Sequence, residues 1–251
     1  MTDMEKKGKK GVLARQAMHN AIGKKHPISL IVEKIVSIFS GMGFEVATGP
    51  ELEDDWHNFE ALNFPKDHPA RDMQDTFFIK NKPGYVLRTH TSNIQIRYME
   101  KLAKEGKKPP FAIIVPGKVF RNEATDVGHE MQFFQLEGLM IGKDVNVANM
   151  KWVLTEFFKK FLGNDVEIRL RPSFFPFVEP GFEVDVKHRG KWMELLGAGM
   201  IHPNVVKNSG LDPKIWQGFA FGVGVDRLTM VKFDVQDVRL FYQGDLRLNQ
   251  F

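Results

Sequence analysis

The sequence predicts an α+β fold, a mostly antiparallel sheet flanked by helices, and three observations carry that reading. Strand-like runs follow one another in pairs separated by turn residues, as hairpins do. Amphipathic helical stripes are few and interleaved with these runs, which is not the pattern of repeated βαβ units. The 251 residues are 43% hydrophobic, enough for one large domain or two small ones with a real core.

Residues 1–25 carry Lys6, Lys7, Lys9, Lys10, Arg15, Lys24 and Lys25 against Asp3 and Glu5. They read as a mobile basic arm with a short helix around Val12–Asn20, either a solvated tail or an arm that touches nucleic acid. The folded part is expected over 26–251. Ile28, Ile31, Val32, Ile35, Phe39 and Met42 fall at helical spacing behind Pro27, which suits a first turn, and Gly41 with Gly43 stops the helix. Phe44-Glu45-Val46 is a strand closed by Gly49-Pro50. A long loop is expected from Glu51 to Asp75, and such loops are often functional; its histidines, His57 and His68, lack metal-ligand spacing. Tyr85–Thr89 reads as a strand running into His90-Thr91-Ser92, where a helix starts and continues through Leu102. This polar junction fits either an N-cap at Thr91 or Ser92 or a set of ligand contacts.

Gly106–Pro110 is a basic turn leading into two strand-like arms, Ile113–Arg121 and Phe133–Ile141, around a long charged tip. Side chains alternate faces along a strand, so Phe133, Gln135 and Glu137 share one face, as do Arg121 and Glu123 if the first arm stays extended that far. Such a face is either solvated or a site for a molecule with phosphates, an ammonium and a flat ring. Met150, Val153, Leu154, Phe157, Phe158, Phe161 and Leu162 form an amphipathic helix whose aromatic stripe is core. Val166–Arg171 is a strand, and Phe174–Pro180 is too proline-rich for a central one, so it is an edge or bulged segment. Phe182–Lys187 and Trp192–Leu196 pair through a turn at Arg189-Gly190. Finally, Gly218–Met230 runs from an apolar strand through Gly222 and Gly224 into a helix opened by Asp226-Arg227. The glycines permit close approach, and arginine at a helix start can grip phosphate. Arg227 stands where a dinucleotide fingerprint needs its third glycine.

Composition narrows the chemistry. The absence of cysteine excludes disulfides, thiolate catalysis and cysteine-ligated zinc, and suits a reducing cytosol. No apolar run approaches the ~20 residues of a membrane span, and the N-terminus has no apolar signal core, so a cytoplasmic protein is expected. The net charge of +4 permits a polyanionic partner.

Strand–loop–strand with arginine, followed by strand–helix with arginine, resembles the second and third motifs of class II aminoacyl-tRNA synthetases, and the helix ending at Gly41–Gly43 with its strand and Pro50 resembles the first. Within the class, the chain resembles the bacterial phenylalanyl-tRNA synthetase alpha subunits through Ala47-Thr48-Gly49-Pro50-Glu51, Asp67-His68-Pro69-Ala70-Arg71, Arg88-Thr89-His90-Thr91-Ser92, Gln135-Leu136-Glu137-Gly138, Phe175-Pro176-Phe177, Gly199–Val205 and Gly218–Gly222. The resemblance implies the class II catalytic fold and the reaction of L-phenylalanine with ATP to phenylalanyl-adenylate, then transfer to tRNA(Phe). It implies Arg121 on the α-phosphate, Arg227 on the γ-phosphate, Glu123 and His129 fixing ATP, and Phe133 stacked on adenine. Glu179 and Glu194 are its candidates for Mg²⁺. His90, Ser92, Gln135 and Glu137 would surround the amino acid's charged groups, Phe175 and Phe177 its ring, and Val178 and Ala220 the ring's far end, with Gly222 beside them.

The resemblance also implies a heterotetramer with a beta subunit, or a homodimer if the chain is a reduced form. Residues 1–25 are too few for the coiled-coil arm of that family, so a catalytic domain without it is expected. Gln74, Phe134 and Asp226 stand where relatives have tryptophan, histidine and glutamate. Two other readings are an adenylating paralogue that does not charge tRNA and a binding or regulatory module; keeping both phosphate arginines argues against the second.

Overall fold

The structure, a computed structural model, describes residues 24–71 and 75–250. Residues 1–23 of the expected arm, with the helix expected at Val12–Asn20, and Gln74 lie outside the described residues. Helix α1 (Pro27–Ser40) starts at Pro27, with the His26 ring accepting the Ile28 amide at 3.2 Å, and is capped by Gly41. Its apolar stripe is buried at Ile28, Ile31, Ile35 and Phe39. Strand β1 (Glu45–Val46) follows, then β2 (Leu52–Asp54), α2 (Asp55–Asn58), β3 (Tyr85–Leu87) and α3 (Ser92–Lys104). After these come β4 (Phe111–Phe120), β5 (Gln132–Gly142), α4 (Val147–Leu162), β6 (Glu167–Phe175), β7 (Val178–His188), β8 (Lys191–Ile201), α5 (Pro203–Asn208), β9 (Gln217–Gly224) and α6 (Val225–Phe233).

The main sheet has seven strands in the order β1-β4-β5-β9-β8-β7-β6. Among the described residues, only β1 and β4 of this sheet pair in parallel, and its other neighbouring pairs are antiparallel. Alternation divides its residues between two cores. Ile114, Leu136, Phe219, Phe221 and Val223 face α1, α4 and α6, whereas Ile113, Val115, Leu139, Ile141 and Ala220 face the layer built from α3, α5 and the segment around Phe59. Phe39 anchors the first core, with no exposed surface and its ring stacked at 4.8 Å on Phe157 and 5.4 Å on Phe221. Phe39→Ala is therefore expected to cost about 3–5 kcal/mol, read as the change in urea unfolding free energy; a loss under ~1 kcal/mol contradicts that anchoring role.

The long loop expected at Glu51–Asp75 contains structure. β2 pairs with β3, Asp54 caps α2 by accepting the His57 amide at 2.9 Å, and short 3-10 turns follow at Glu60–Leu62 and Pro69–Arg71. Elements of three and four residues have no period to read, and the partner of β2 arrives some thirty residues later. Glu53, fully buried, accepts from Asn93 at 2.6 Å and from Arg97 at 2.8 Å, which fastens this segment to α3. His57 sits against Asp54 at 2.7 Å. The proline-rich stretch is bulged and only its start lies at an edge: β6, the outermost strand, has a register shift between Ser173 and Phe175, and after the reversal Val178–Pro180 enter β7, which lies between β6 and β8 and has a second shift between Val178 and Gly181. The β7–β8 turn falls at Arg189-Gly190, both at positive φ (50° and 78°).

Candidate active site

Strands β5, β9 and β8 form the floor of two adjoining cavities on the sheet face opposite α1 and α4. The first, about 490 Å³, is lined by Ser92, Gln95, Gln135, Glu137, Phe175, Phe177 and Ala220 among others, with His90 and Phe64 in its wall. The second, about 320 Å³, is lined by His129, Phe133, Glu183, Glu194, Asp226 and Arg227. Arg121, Glu123, Gln135, Phe175, Gly197 and Gly222 border both, so the two form one continuous trough.

The first cavity is apolar at one end and carboxylate-lined at the other. Glu137, 5% exposed, accepts from Ser92 Oγ at 2.6 Å, Gln95 Nε2 at 2.8 Å and Gln135 Nε2 at 3.0 Å. Burial pushes its carboxyl up to about 7, against the opposing pull of the Ser92 hydroxyl and of Arg121 and Arg88. Gln135 keeps its carbonyl oxygen Oε1 buried with no partner among the described residues, a free acceptor in the wall of a polar pocket. His90 stacks on Phe64 at 5.9 Å, and neither of its ring nitrogens has a partner among the described residues. Burial, then the charge of Arg121, lowers its pKa to about 3, so the ring is neutral. The apolar end holds Phe175 and Phe177, ring centroids 5.9 Å apart, with Ala220 in the floor. Gly222 keeps the floor low: a Cβ there would sit 3.0 Å from Gln135 Nε2 and 3.3 Å from Glu137 Cγ.

Arg121 is the cation at the junction. It follows the last residue of β4, its amide still bonded to the Met131 carbonyl at 2.9 Å, while its Nε donates to the Thr89 carbonyl at 3.3 Å. Its guanidinium lies 5.0 Å from the centre of the Phe133 ring. Arg227, in the first turn of α6, is exposed and has no ion-pair partner among the described residues. Cavity, aromatic ring and two arginines make a receptor for a planar base with an anionic tail.

Most of the residues expected at the site gather here; Val178 and Glu179 do not, and His129 and Glu123 do so from the loop beyond β4. Val178 is buried and pairs with Ile201 rather than lining the first cavity; the chain reverses at residues 176–177, which turns it under Gly199. Glu179, its neighbour on the other face of β7, is exposed and borders a separate surface cavity with Trp56, Phe174 and His202, away from Arg121 and Arg227. His129 is exposed and already bonded to Asp126 at 2.9 Å, although it lines the second cavity. Glu123 falls in the loop beyond β4, yet borders both cavities.

His90 and Ser92 of the junction border the first cavity, and no side chain there caps α3. Thr91 occupies the N-cap without a side-chain bond, and the Ser92 hydroxyl donates to Glu137 instead. Gln95 went unread in the sequence, although it lies three residues after Ser92 and so shares its helix face. Glu183 went unread too; it pairs with Arg171 at 2.9 Å, as Glu194 does at 2.7 Å, so the two carboxylates stand together at the second cavity.

Comparison with known proteins supplies the context for this trough. The sequence profile of the tRNA synthetases class II core domain (F) matches residues 13–251. The phenylalanine–tRNA ligase alpha subunit of Christiangramia forsetii is 50% identical over 99% of this chain and 76% of its own length. That of Neisseria meningitidis serogroup B is 52% identical over 91% and 68%, and that of Aquifex aeolicus 50% identical over 92% and 70%. Among solved structures, the pyrrolysyl-tRNA synthetase of Desulfitobacterium hafniense superposes with a TM-score of 0.71 over 96% of this chain and 80% of its own, at 16% identity, a likeness of fold alone.

Proposed function

The chain belongs to the class II tRNA synthetase core family and, within it, to the phenylalanine–tRNA ligase alpha subunits, and from that membership we propose how its two cavities divide the work. The activity is the ATP-dependent activation of L-phenylalanine to phenylalanyl-adenylate and transfer of the phenylalanyl group to tRNA(Phe). A paralogue that adenylates without charging tRNA, or a module that only binds, is not favoured by relatives at this identity.

The observation that carries the assignment is the trough itself, an apolar pocket with a buried carboxylate joined through Arg121 to a second cavity holding Phe133 and Arg227. Glu137 and the Gln135 carbonyl oxygen receive the amino acid's ammonium, His90 and Ser92 border the same end, and Phe175 and Phe177 meet its ring edge-on. Phe133 stacks on adenine, Glu123 and His129 border the nucleotide, and Arg227 holds the γ-phosphate. The amino-acid carboxylate attacks the α-phosphorus in line and pyrophosphate leaves; Arg121 neutralises the charge that builds on the α-phosphate. The protein has little acid–base work here, so positioning and charge neutralisation dominate.

Mg²⁺ prefers oxygen ligands, and the carboxylates at the nucleotide cavity that could hold it are Glu194 and its neighbour Glu183, each of which would first have to give up its ion pair with Arg171, whereas Glu179 borders a separate cavity. When bound, the ion would offset charge on the leaving phosphates. A beta subunit is the partner that the alpha-subunit relatives imply, with a heterotetramer as the assembly and the cytoplasm as the compartment. No helix among the described residues is long and apolar enough to cross a membrane.

Phenylalanine-dependent ATP–pyrophosphate exchange by the chain, followed by charging of tRNA(Phe) with and without a beta subunit, tests the reading. Exchange is expected; its absence with the beta subunit present overturns the assignment. Pocket depth gives a finer check, because Ala220 (8% exposed) lies in the floor of the apolar end. Ala220→Gly is expected to raise kcat/KM for para-chlorophenylalanine by about tenfold or more, the scale of one carbon in an apolar pocket. No gain in exchange with that analogue would remove Ala220 from the specificity pocket.

A further inference from the structure

We propose that Asp226 and Tyr242 are positioning residues for ATP, a buried pair that sets Phe133 and Arg227 at a fixed separation. The proposal rests on the assignment of those two residues to the nucleotide.

Asp226 opens α6 immediately before Arg227, yet its side chain turns inward and is 4% exposed. One carboxylate oxygen accepts the Phe134 amide at 2.7 Å, from the start of β5 and one residue beyond Phe133. The other accepts the Tyr242 hydroxyl in a short hydrogen bond. One side chain thus joins three pieces of backbone that are distant in sequence: the strand that carries the aromatic ring, the helix that carries the free arginine, and the C-terminal segment. That segment is itself part of the nucleotide cavity. Val238 lines it, and the Val238 amide donates to the Val127 carbonyl at 3.0 Å in the hairpin tip.

Burial is costly for a carboxylate unless donors compensate it, and here they compensate only in part. Burial raises the Asp226 carboxyl to about 6, Glu130 of the hairpin tip adds in the same direction, and the Tyr242 and Phe134 donors oppose the shift. A simple apolar contact between β5 and α6 would avoid that cost but would leave both elements free to slide. Two hydrogen bonds to the two oxygens of one carboxylate fix both distance and angle. An amide at this position can accept only at its oxygen, so its NH₂ would face a donor and one of the two bonds would be lost.

The test is ATP–pyrophosphate exchange by the full chain, with KM for ATP and KM for phenylalanine measured separately and thermal melting recorded. Asp226→Asn is expected to raise KM for ATP by about tenfold or more while KM for phenylalanine stays within about twofold, because the amino-acid pocket does not touch the pair. Tyr242→Phe keeps the ring packing and is expected to shift KM for ATP the same way by roughly threefold, the loss of one charge-assisted bond; it also carries the test if Asp226→Asn does not fold. Asp226→Glu restores the acceptor pair and is expected to recover most of the ATP affinity. Unchanged KM for ATP in both Asp226→Asn and Tyr242→Phe overturns the proposal, as does an equal rise in both KM values that tracks the loss of melting temperature. Arg227→Ala and Phe133→Ala separate the two levels. If these also leave KM for ATP unchanged, the nucleotide assignment fails. If they raise it and the Asp226 and Tyr242 variants do not, the positioning pair alone fails.

Discussion

Arg121→Gln is expected to lower kcat of phenylalanine-dependent ATP–pyrophosphate exchange by roughly a thousandfold, the upper range for losing one preorganised donor aimed at developing charge. Arg121 is the only cation among the described residues that borders both cavities, so no neighbour can substitute at the point where amino acid and nucleotide meet. Its orientation is set before substrate arrives, by the Thr89 carbonyl on one side and the Phe133 ring on the other. Burial pulls its pKa down, while Glu123, Glu137 and Asp75 pull it up; a guanidinium stays charged throughout. Arg121→Lys keeps a charge but loses the planar fork, and an intermediate loss of about a hundredfold is expected. The effect belongs in kcat because the contact strengthens as charge builds on the α-phosphate. Less than about tenfold loss for Arg121→Gln at saturating substrates would place the adenylation chemistry elsewhere.

The sequence shows this hairpin well because its arms are long. Ten and eleven residues of β4 and β5 display their alternation, and the polar face at Gln135 and Glu137 stands out against Leu136, which turns to the opposite core. The glycine-broken strand that runs into α6 is legible for a similar reason: a glycine has no apolar role along a strand, and close approach explains Gly222, where a Cβ would crowd Gln135 and Glu137. Less was readable where a side chain's direction depends on where the chain turns. Val178 and Glu179 follow a reversal at 176–177, and a shift of one residue in that turn exchanges the buried and exposed faces of everything after it. Thr91 and Ser92 show the limit of local chemistry. Both residue types cap helices, and only the arrival of Glu137 from β5 decides that Ser92 serves the cavity. The segment after Pro50 is assembled from pieces too short to have a period, each held by a partner far along the chain, as Glu53 is by Asn93 and Arg97. Asp226 combines both limits: its position before Arg227 is visible, but its two donors come from Phe134 and Tyr242, on either side in sequence.

Phenylalanine binding is expected to weaken by close to tenfold per pH unit below about pH 7, because Glu137 must be ionised to meet the substrate's ammonium and its carboxyl in the free protein sits at about 7. Three donors surround the group, yet burial still dominates, so the empty pocket holds a carboxyl that is partly protonated near neutrality. The ammonium supplies the missing countercharge, and binding therefore releases a proton between about pH 5 and 7, measurable by calorimetry in buffers of different ionisation enthalpy. The same shift has a stability sign. A carboxyl whose folded-state pKa is raised from 4.5 to about 7 favours the fold while protonated, and this contribution is fully present below 4.5 and lost as pH rises to about 7. The loss is on the order of 3 kcal/mol. Glu137→Gln removes the ionisation but has only one acceptor oxygen for donors that now meet both, so its stability is expected to lose the parent's decline between about pH 4.5 and 7, with its pH-dependence of phenylalanine binding gone and its affinity down by about a hundredfold. A pH-independent affinity in the unsubstituted protein, or a Gln variant that binds phenylalanine as well as the parent, would show that another group meets the ammonium. A pH-dependent affinity in the parent and a flattened pH-dependence of stability in Glu137→Gln would together show that recognition of substrate is bought with fold stability, since the charge that holds the ammonium is the one whose burial is costly.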